Sequence, residues 1–237
     1  MKILHLYHDL MNLYGDYANV SAMKRILEKS GERVELDRLS LGDNADFKNC
    51  DFIFIGSGTE KNQRVALKDF KKYGKALKDY IDSGKVILMT GNSFEMLGKT
   101  ITDAHGQSFD GLGLLDFGVT EQNKTRLTAD VIFDCDFLTQ PVVGFVNKCS
   151  EITGADKTLF SVRMGLGNKD GDKCEGVRLN NCFGTHVTGP VLIKNPHFLC
   201  YLAETILGRK PESDWMTYER AGYEVTLREL SGRLNAE

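Results

Sequence analysis

Phe52-Ile53-Phe54-Ile55-Gly56-Ser57-Gly58 is the stretch whose reading decides the fold. Four apolar residues in a row leave no polar face, so this strand must be covered on both sides, as in a parallel sheet flanked by helices. The small residues that follow end the strand and open a loop. Upstream, Lys2 to Tyr7 reads as an opening strand. Asn19 to Ser30 sets Val20, Met23, Ile26 and Leu27 on one helical face and stops at Gly31, and Val34 to Leu39 follows as a second strand. Downstream, Arg64 to Ser83 carries Val65, Leu67, Phe70, Leu77, Tyr80 and Ile81 and closes at Gly84, which predicts one long amphipathic helix. Val86 to Met89 is another buried strand. Strands separated by helical crossovers predict an α/β fold with a doubly wound, mostly parallel sheet flanked by helices.

The second half favours short strands: Leu114 to Phe117, Leu127 to Phe133, Val142 to Phe145, Leu159 to Val162 and Val177 to Leu179. Gly165 to Gly171 reads as a turn. Asn195-Pro196 opens a helix with Leu199, Leu202, Ala203, Ile206 and Leu207 inward. Beyond Gly208 the chain is polar, with a lone Trp215 and weak helical character from Glu219 to Leu234. The expected division is one α/β domain over residues 1–208 and a C-terminal helical extension over 209–237.

The 237 residues are 41% hydrophobic and 27% charged, as in soluble globular proteins. Thirty Lys and Arg against 33 Asp and Glu give a net charge of -3, too little bias for a general nucleic-acid or anionic-membrane binder. No apolar run approaches the roughly 18 residues of a membrane span, so no membrane insertion is expected. MKILHLYHDL enters strand-like sequence without a leader pattern, and the expected location is the cytoplasm. The six cysteines never fall at C-x-x-C spacing, which argues against a zinc site; no cofactor is expected.

In open α/β sheets, ligands gather where loops leave the C-terminal ends of the strands. Two such loops stand out. Gly56-Ser57-Gly58-Thr59-Glu60-Lys61-Asn62-Gln63 could turn backbone N–H groups toward a ligand as an oxyanion hole or anion nest, or could be a plain tight turn. Thr90-Gly91-Asn92-Ser93-Phe94-Glu95-Met96-Leu97-Gly98 has the strand-to-helix setting of a nucleophile elbow.

At these residues the chain resembles the class I glutamine amidotransferases of the cobyric acid synthase type. His5-Leu6-Tyr7-His8-Asp9-Leu10-Met11-Asn12-Leu13-Tyr14-Gly15-Asp16 is close to the family opening H-L-Y-P-D-L-x-N-L-Y-G-D, and the 56–63 loop parallels G-G-G-Q-D-x-E-Q. Gly111 to Phe117 matches G-L-G-L-L-D-F, and Val143 to Asn147 resembles V-G-F-E-N. Gly184-Thr185-His186-Val187-Thr188-Gly189-Pro190 opens a stretch similar to G-T-Y-L-H-G-P-L-L-P-K-N-P. The motifs run in order over residues 2 to about 208 and look most like the GatD-type subunits. That resemblance implies a flavodoxin-like amidotransferase fold, glutamine as a ligand, and a Mur-ligase-like (MurT-type) partner subunit in amidation of a cell-wall precursor. It also implies ligand contacts at Gly56, Ser57, Gly58, Asn92 and Arg126, the last where GatD-type chains carry an arginine associated with the active site. A surface ion pair is the alternative for Arg126.

The family's chemistry needs a cysteine thiolate to attack the glutamine amide and a histidine to shuttle the proton. Its elbow reads C-G-G-Y-Q-L-L-G. Counting back from Gly98 places the cysteine at Gly91, and the second motif places the histidine at Thr188. Both groups are absent, and such a loss costs on the order of 10⁴ to 10⁶ in rate. The resemblance therefore implies a pseudo-enzyme. Rival readings keep hydrolysis by Ser93 with His186 as base and Glu95 nearby, or by a relocated cysteine such as Cys182 or Cys149, or take the chain as a stand-alone small-molecule binder. His186 could equally fill the space of the family's tyrosine. Asn168, Asp170, Asp172 and Glu175 fail the spacing of a calcium loop, and His5, His8 and Asp9 read as structural; no metal site is expected.

Overall fold

The run at 52–55 is a central strand, buried along its whole length. In the computed structural model, which describes residues 1–122 and 126–235, the chain begins with β1 (Lys2–Leu6), α1 (Tyr17–Lys29), β2 (Glu35–Leu39) and β3 (Phe52–Ile55). It continues through α2 (Glu60–Phe70), α3 (Gly74–Asp82), β4 (Val86–Thr90) and a 3₁₀ turn over Gly91–Leu97. The strands β5 (Thr100–Thr102), β6 (Ser108–Asp110), β7 (Gly118–Glu121), β8 (Leu127–Asp134), β9 (Val142–Lys148), β10 (Ser150–Thr153) and β11 (Phe160–Met164) follow. The last part holds β12 (Cys174–Glu175), β13 (Val177–Leu179), β14 (Cys182–Thr185), β15 (Val187–Thr188), α4 (Val191–Lys194), α5 (Pro196–Leu207) and α6 (Thr217–Leu234).

The main sheet has the order β13-β14-β4-β3-β1-β2, parallel throughout except for the edge strand β13. Alternate side chains point to opposite faces of a strand. Phe52 and Phe54 accordingly join Met23, Ile26 and Leu27 of α1 and Phe198 and Leu202 of α5 on one side. Ile53 and Ile55 join Leu67, Phe70 and Leu77 of the α2–α3 segment on the other. The β3 and β4 C-termini thus emerge side by side, in the register Ile55 to Met89.

Several expectations are corrected. The long helix expected over 64–83 is two helices separated by a 3₁₀ turn at Lys71–Tyr73. Gly74 is a poor helix interior residue, and Tyr73 is drawn aside to donate its hydroxyl to Asp43 O (2.5 Å) and pack on Phe47. Leu114 to Phe117 is not a strand. Its backbone wraps the end of the elbow turn, with Leu112 N–H donating to Met96 O and Leu114 N–H to Leu97 O. The second half adds little to the parallel sheet. It builds a four-stranded sheet, β10-β7-β5-β6, and a five-stranded antiparallel sheet, β12-β11-β8-β9-β15. Towards the C-terminus, α6 buries only Tyr223 and Leu230, against Ile132 of β8 and Val143 of β9.

Candidate functional site

Two loops meet because β3 and β4 are parallel neighbours. Thr90 ends β4, and Gly91 then takes a left-handed φ of +60° that throws the chain into the 3₁₀ turn. That backbone is the sharp bend of a nucleophile elbow, held here by a residue with no side chain. From the β3 loop, Ser57 N–H donates to Asp16 Oδ2 (2.5 Å) and Gly58 N–H to Asn92 Oδ1 (3.0 Å). A Cβ built on Gly91 would lie 2.2 Å from Ser57 Oγ and 2.7 Å from Ser57 Cβ. The Ser57 side chain therefore occupies the space that a side chain at position 91 would need. Thr188, buried at the end of β15, gives its hydroxyl to Phe145 O (3.1 Å). Ser57, Gly58, Gly91, Asn92, Arg126, His186 and Thr188 all line one pocket. Its free volume is about 10 Å³, room for about one water.

A buried polar cluster forms one wall. His186 Nε2 lies 3.1 Å from Glu95 Oε1, and Nδ1 lies 3.4 Å from Glu175 Oε1, all three side chains being almost fully excluded from solvent. Glu95 also accepts from Gln63 Nε2 (2.7 Å) and from the Ser150 hydroxyl. Glu175 accepts from Thr185 Oγ1 (2.8 Å) and His186 N–H (2.7 Å). Lys148 completes the wall, donating to Gly167 O and Asn168 O; burial pulls its pKa down against the upward pull of Glu175 and Glu95. The elbow motif quoted above has Gln at position 95 and the later motif Tyr at position 186. Here an acid and an imidazole face one another instead.

At the mouth, Arg126 donates Nε to Asn147 Oδ1 (2.6 Å) and Nη2 to Asn147 O (3.2 Å), and pairs with Glu60. Its guanidinium is thus committed to the protein itself. Residues 123–125, just before it in the sequence, and 236–237 lie outside the described residues. Cys149 also lines the pocket, its thiol pushed up to about 12 by burial and by the Glu60 carboxylate, on which it donates (3.2 Å).

The other sequence candidates lie elsewhere. Ser93 is buried, its hydroxyl held between Ile55 O (3.0 Å) and Thr90 O (2.8 Å). Gly56 packs against Met11 O and Asp16, where a Cβ would sit 2.6 Å from that carbonyl, and forms no part of the pocket wall. Cys182 is sealed in the core, its thiol raised to about 12 by burial. Asn168 brackets Gly176 with two hydrogen bonds, so the supposed calcium loop is a backbone brace. His5 is buried beside Phe54, and among the described residues no group of three His, Cys, Asp or Glu is placed to hold a metal ion.

Sequence reasoning passed over Asp16, Ser150 and Lys148 as site residues, and weighed Glu175 only as part of a calcium loop. Asp16 is fully buried, and burial raises its carboxyl to about 6 although Ser57 and Thr90 donate to it. The only signal for it was its place at the end of the opening motif.

A parallel sheet that delivers a glycine-rich loop and a left-handed strand-to-helix turn to the same edge defines an α/β protein of the glutamine amidotransferase fold. A solved glutamine amidotransferase superposes with a TM-score of 0.54 at 14% identity, covering 86% of this chain and 98% of that one. The glutaminase domain of Trypanosoma brucei CTPS with bound acivicin gives 0.52 at 11% identity, covering 90% and 96%. Within that class, the chain belongs to the family of CobB/CobQ-like glutamine amidotransferase domains, which it matches over residues 2–196. It is 34% identical over 210 residues to subunit GatD of the glutamine-hydrolyzing lipid II isoglutaminyl synthase of Staphylococcus aureus (strain N315), covering 89% of this chain and 86% of the relative. Subunit GatD of Streptococcus pneumoniae (strain ATCC BAA-255 / R6) is 31% identical over 216 residues, covering 90% and 83%.

Proposed function

We propose that this chain is a GatD-type subunit that assembles with a Mur-ligase-like (MurT-type) partner in amidation of a cell-wall lipid precursor, and that it has lost glutaminase activity. The observation that carries the reading is Gly91: the nucleophile's position keeps its left-handed backbone while Ser57 fills the space of the missing side chain. Thr188, at the histidine's position, has no basic nitrogen, and its hydroxyl is spent on Phe145 O. A pocket of about 10 Å³ leaves no room for a glutamine side chain.

The rival hydrolases find less support. The Ser93 hydroxyl is taken up by two backbone carbonyls, and among the described residues no hydrogen bond joins it to an imidazole. Cys149 faces the pocket, but a thiol titrating near 12 is almost entirely un-ionised at neutral pH, and the thiolate is the nucleophile. A stand-alone ligand binder would need an open pocket at this edge.

The test is glutamate release from glutamine by the purified protein, alone and mixed with the Mur-ligase-like protein, beside a GatD relative that retains the cysteine and histidine. The expected result is no release above the buffer blank and co-elution of the two proteins on size exclusion. Release that survives removal of contaminating glutaminase would overturn the loss of activity; failure to co-elute would overturn the subunit assignment.

A further inference from the structure

Gly58 N–H and Asn92 stand in a relation that the loss of the nucleophile does not require. In a site of this layout, a backbone N–H of the β3 loop is the group that would hydrogen-bond a substrate's amide oxygen and stabilise the oxyanion formed from it. Here that donor already holds a carboxamide oxygen, Asn92 Oδ1, at 3.0 Å. Asparagine carries the same primary carboxamide as glutamine, one methylene shorter. The backbone of Asn92 is pinned as well, its carbonyl accepting from Gln63 Nε2 at 2.6 Å. Among the described residues, no hydrogen-bond partner is found for the buried Ser57 hydroxyl beside it or for Asn92 Nδ2. Two side chains, Ser57 and Asn92, thus project into the space where the motif quoted above has glycine at both positions.

We propose that Asn92 is a built-in carboxamide ligand of the former oxyanion site, and that with Ser57 it excludes glutamine from the pocket. The inference rests on the reading that glutaminase activity is absent, and adds that the site is sealed against its ligand rather than merely stripped of its catalyst. Asn92→Gly frees the Gly58 donor, and Ser57→Gly restores the volume beside Gly91. Neither change supplies a nucleophile, so the opened site binds glutamine without cleaving it.

The experiment is a titration with L-glutamine followed by amide NMR, with Gly58 N–H as the reporter, on the wild type, Asn92→Gly, and Ser57→Gly with Asn92→Gly. The expected result is an unresponsive wild type and a double variant that binds at least about tenfold more tightly. A scalar coupling across the hydrogen bond between Gly58 N and the Asn92 carboxamide checks the seal in the unmutated protein, whatever the fate of the variants. Glutamine binding by the wild type that shifts the Gly58 amide, absence of that coupling, or a folded double variant that still ignores glutamine each overturn the proposal. None of these outcomes is glutamate release, so the seal can fail while the loss of activity stands. Release by the wild type would sink the earlier reading instead.

Discussion

Gly91 and Ser57 make a complementary pair. Position 91 carries no side chain, and Ser57 fills the space one would need. A non-glycine residue at a left-handed φ is strained by about 1–3 kcal/mol, and at position 91 it would also collide with Ser57 Oγ. Gly91→Cys alone should therefore lower the unfolding free energy by about that amount, and adding Ser57→Gly should recover part of it. A urea-denaturation double-mutant cycle measures the coupling; strict additivity would show that the two side chains do not compete. On the proposed reading, Gly91→Cys with Thr188→His and Ser57 left in place should yield no turnover of glutamine, because the new side chain would collide with Ser57. Glu95 and His186 form a second pair. Removing the imidazole with His186→Ala leaves Glu95 and Glu175 buried and facing each other, at a cost of about 3–5 kcal/mol. Glu95→Gln with His186→Tyr should cost less than the two single changes summed, since the two side chains touch and are replaced together.

Among the elements, the ties around the site differ widely in strength. Arg126 links the first turn of α2 to β9 through Glu60 and Asn147, but its side chain is 41% exposed and that of Glu60 34%. Pairs so open to water contribute under about 1 kcal/mol. Arg126→Ala should leave the melting curve almost unchanged; a large loss would mean that the link carries structural weight. The helix α6 is held by Tyr223 and Leu230 alone among its buried residues, whereas β3 and β4 are buried over every residue. Local opening follows the depth of packing. Hydrogen exchange should find α6 amides exchanging by local opening well before those of β3 and β4, and matching rates would overturn that order.

Over the whole molecule, burial sets opposing pH responses. It lowers His5 and His197 to about 4 and raises Asp16 to about 6. A histidine lowered in the native state takes up its proton more readily in the unfolded chain, so acidification from pH 6.5 towards 4 favours unfolding, by up to about 3 kcal/mol per residue. Asp16 acts in reverse: its native carboxyl binds the proton first, so acidification through pH 6 to about 4 stabilises the fold by a comparable amount. Two histidines against one aspartate leave a net loss towards acid from these three groups. Urea midpoints across this range should show His5→Gln flattening the acid loss and Asp16→Asn steepening it. The opposite ordering would mean that these groups do not govern the response.

The parallel sheet was legible in the sequence because a strand covered on both faces has to be continuously apolar, and Phe52 to Ile55 can be nothing else. Gly91 and Thr188, where the family motifs have cysteine and histidine, were equally legible, since they are found by counting along those motifs. The division of the second half into two further sheets was not, because short alternating strands do not say which neighbour they pair with. Nor was the filling of the space beside Gly91 by Ser57. Asn92 reaches Gly58 across 34 positions and His186 reaches Glu95 across 91, and no local pattern encodes a contact of that range. Sequence by itself determined which chemical groups this protein has and lacks. Only the tertiary structure, by setting β3 beside β4 and packing side chains at fixed volume, decided that Ser57 fills the space a side chain at position 91 would need.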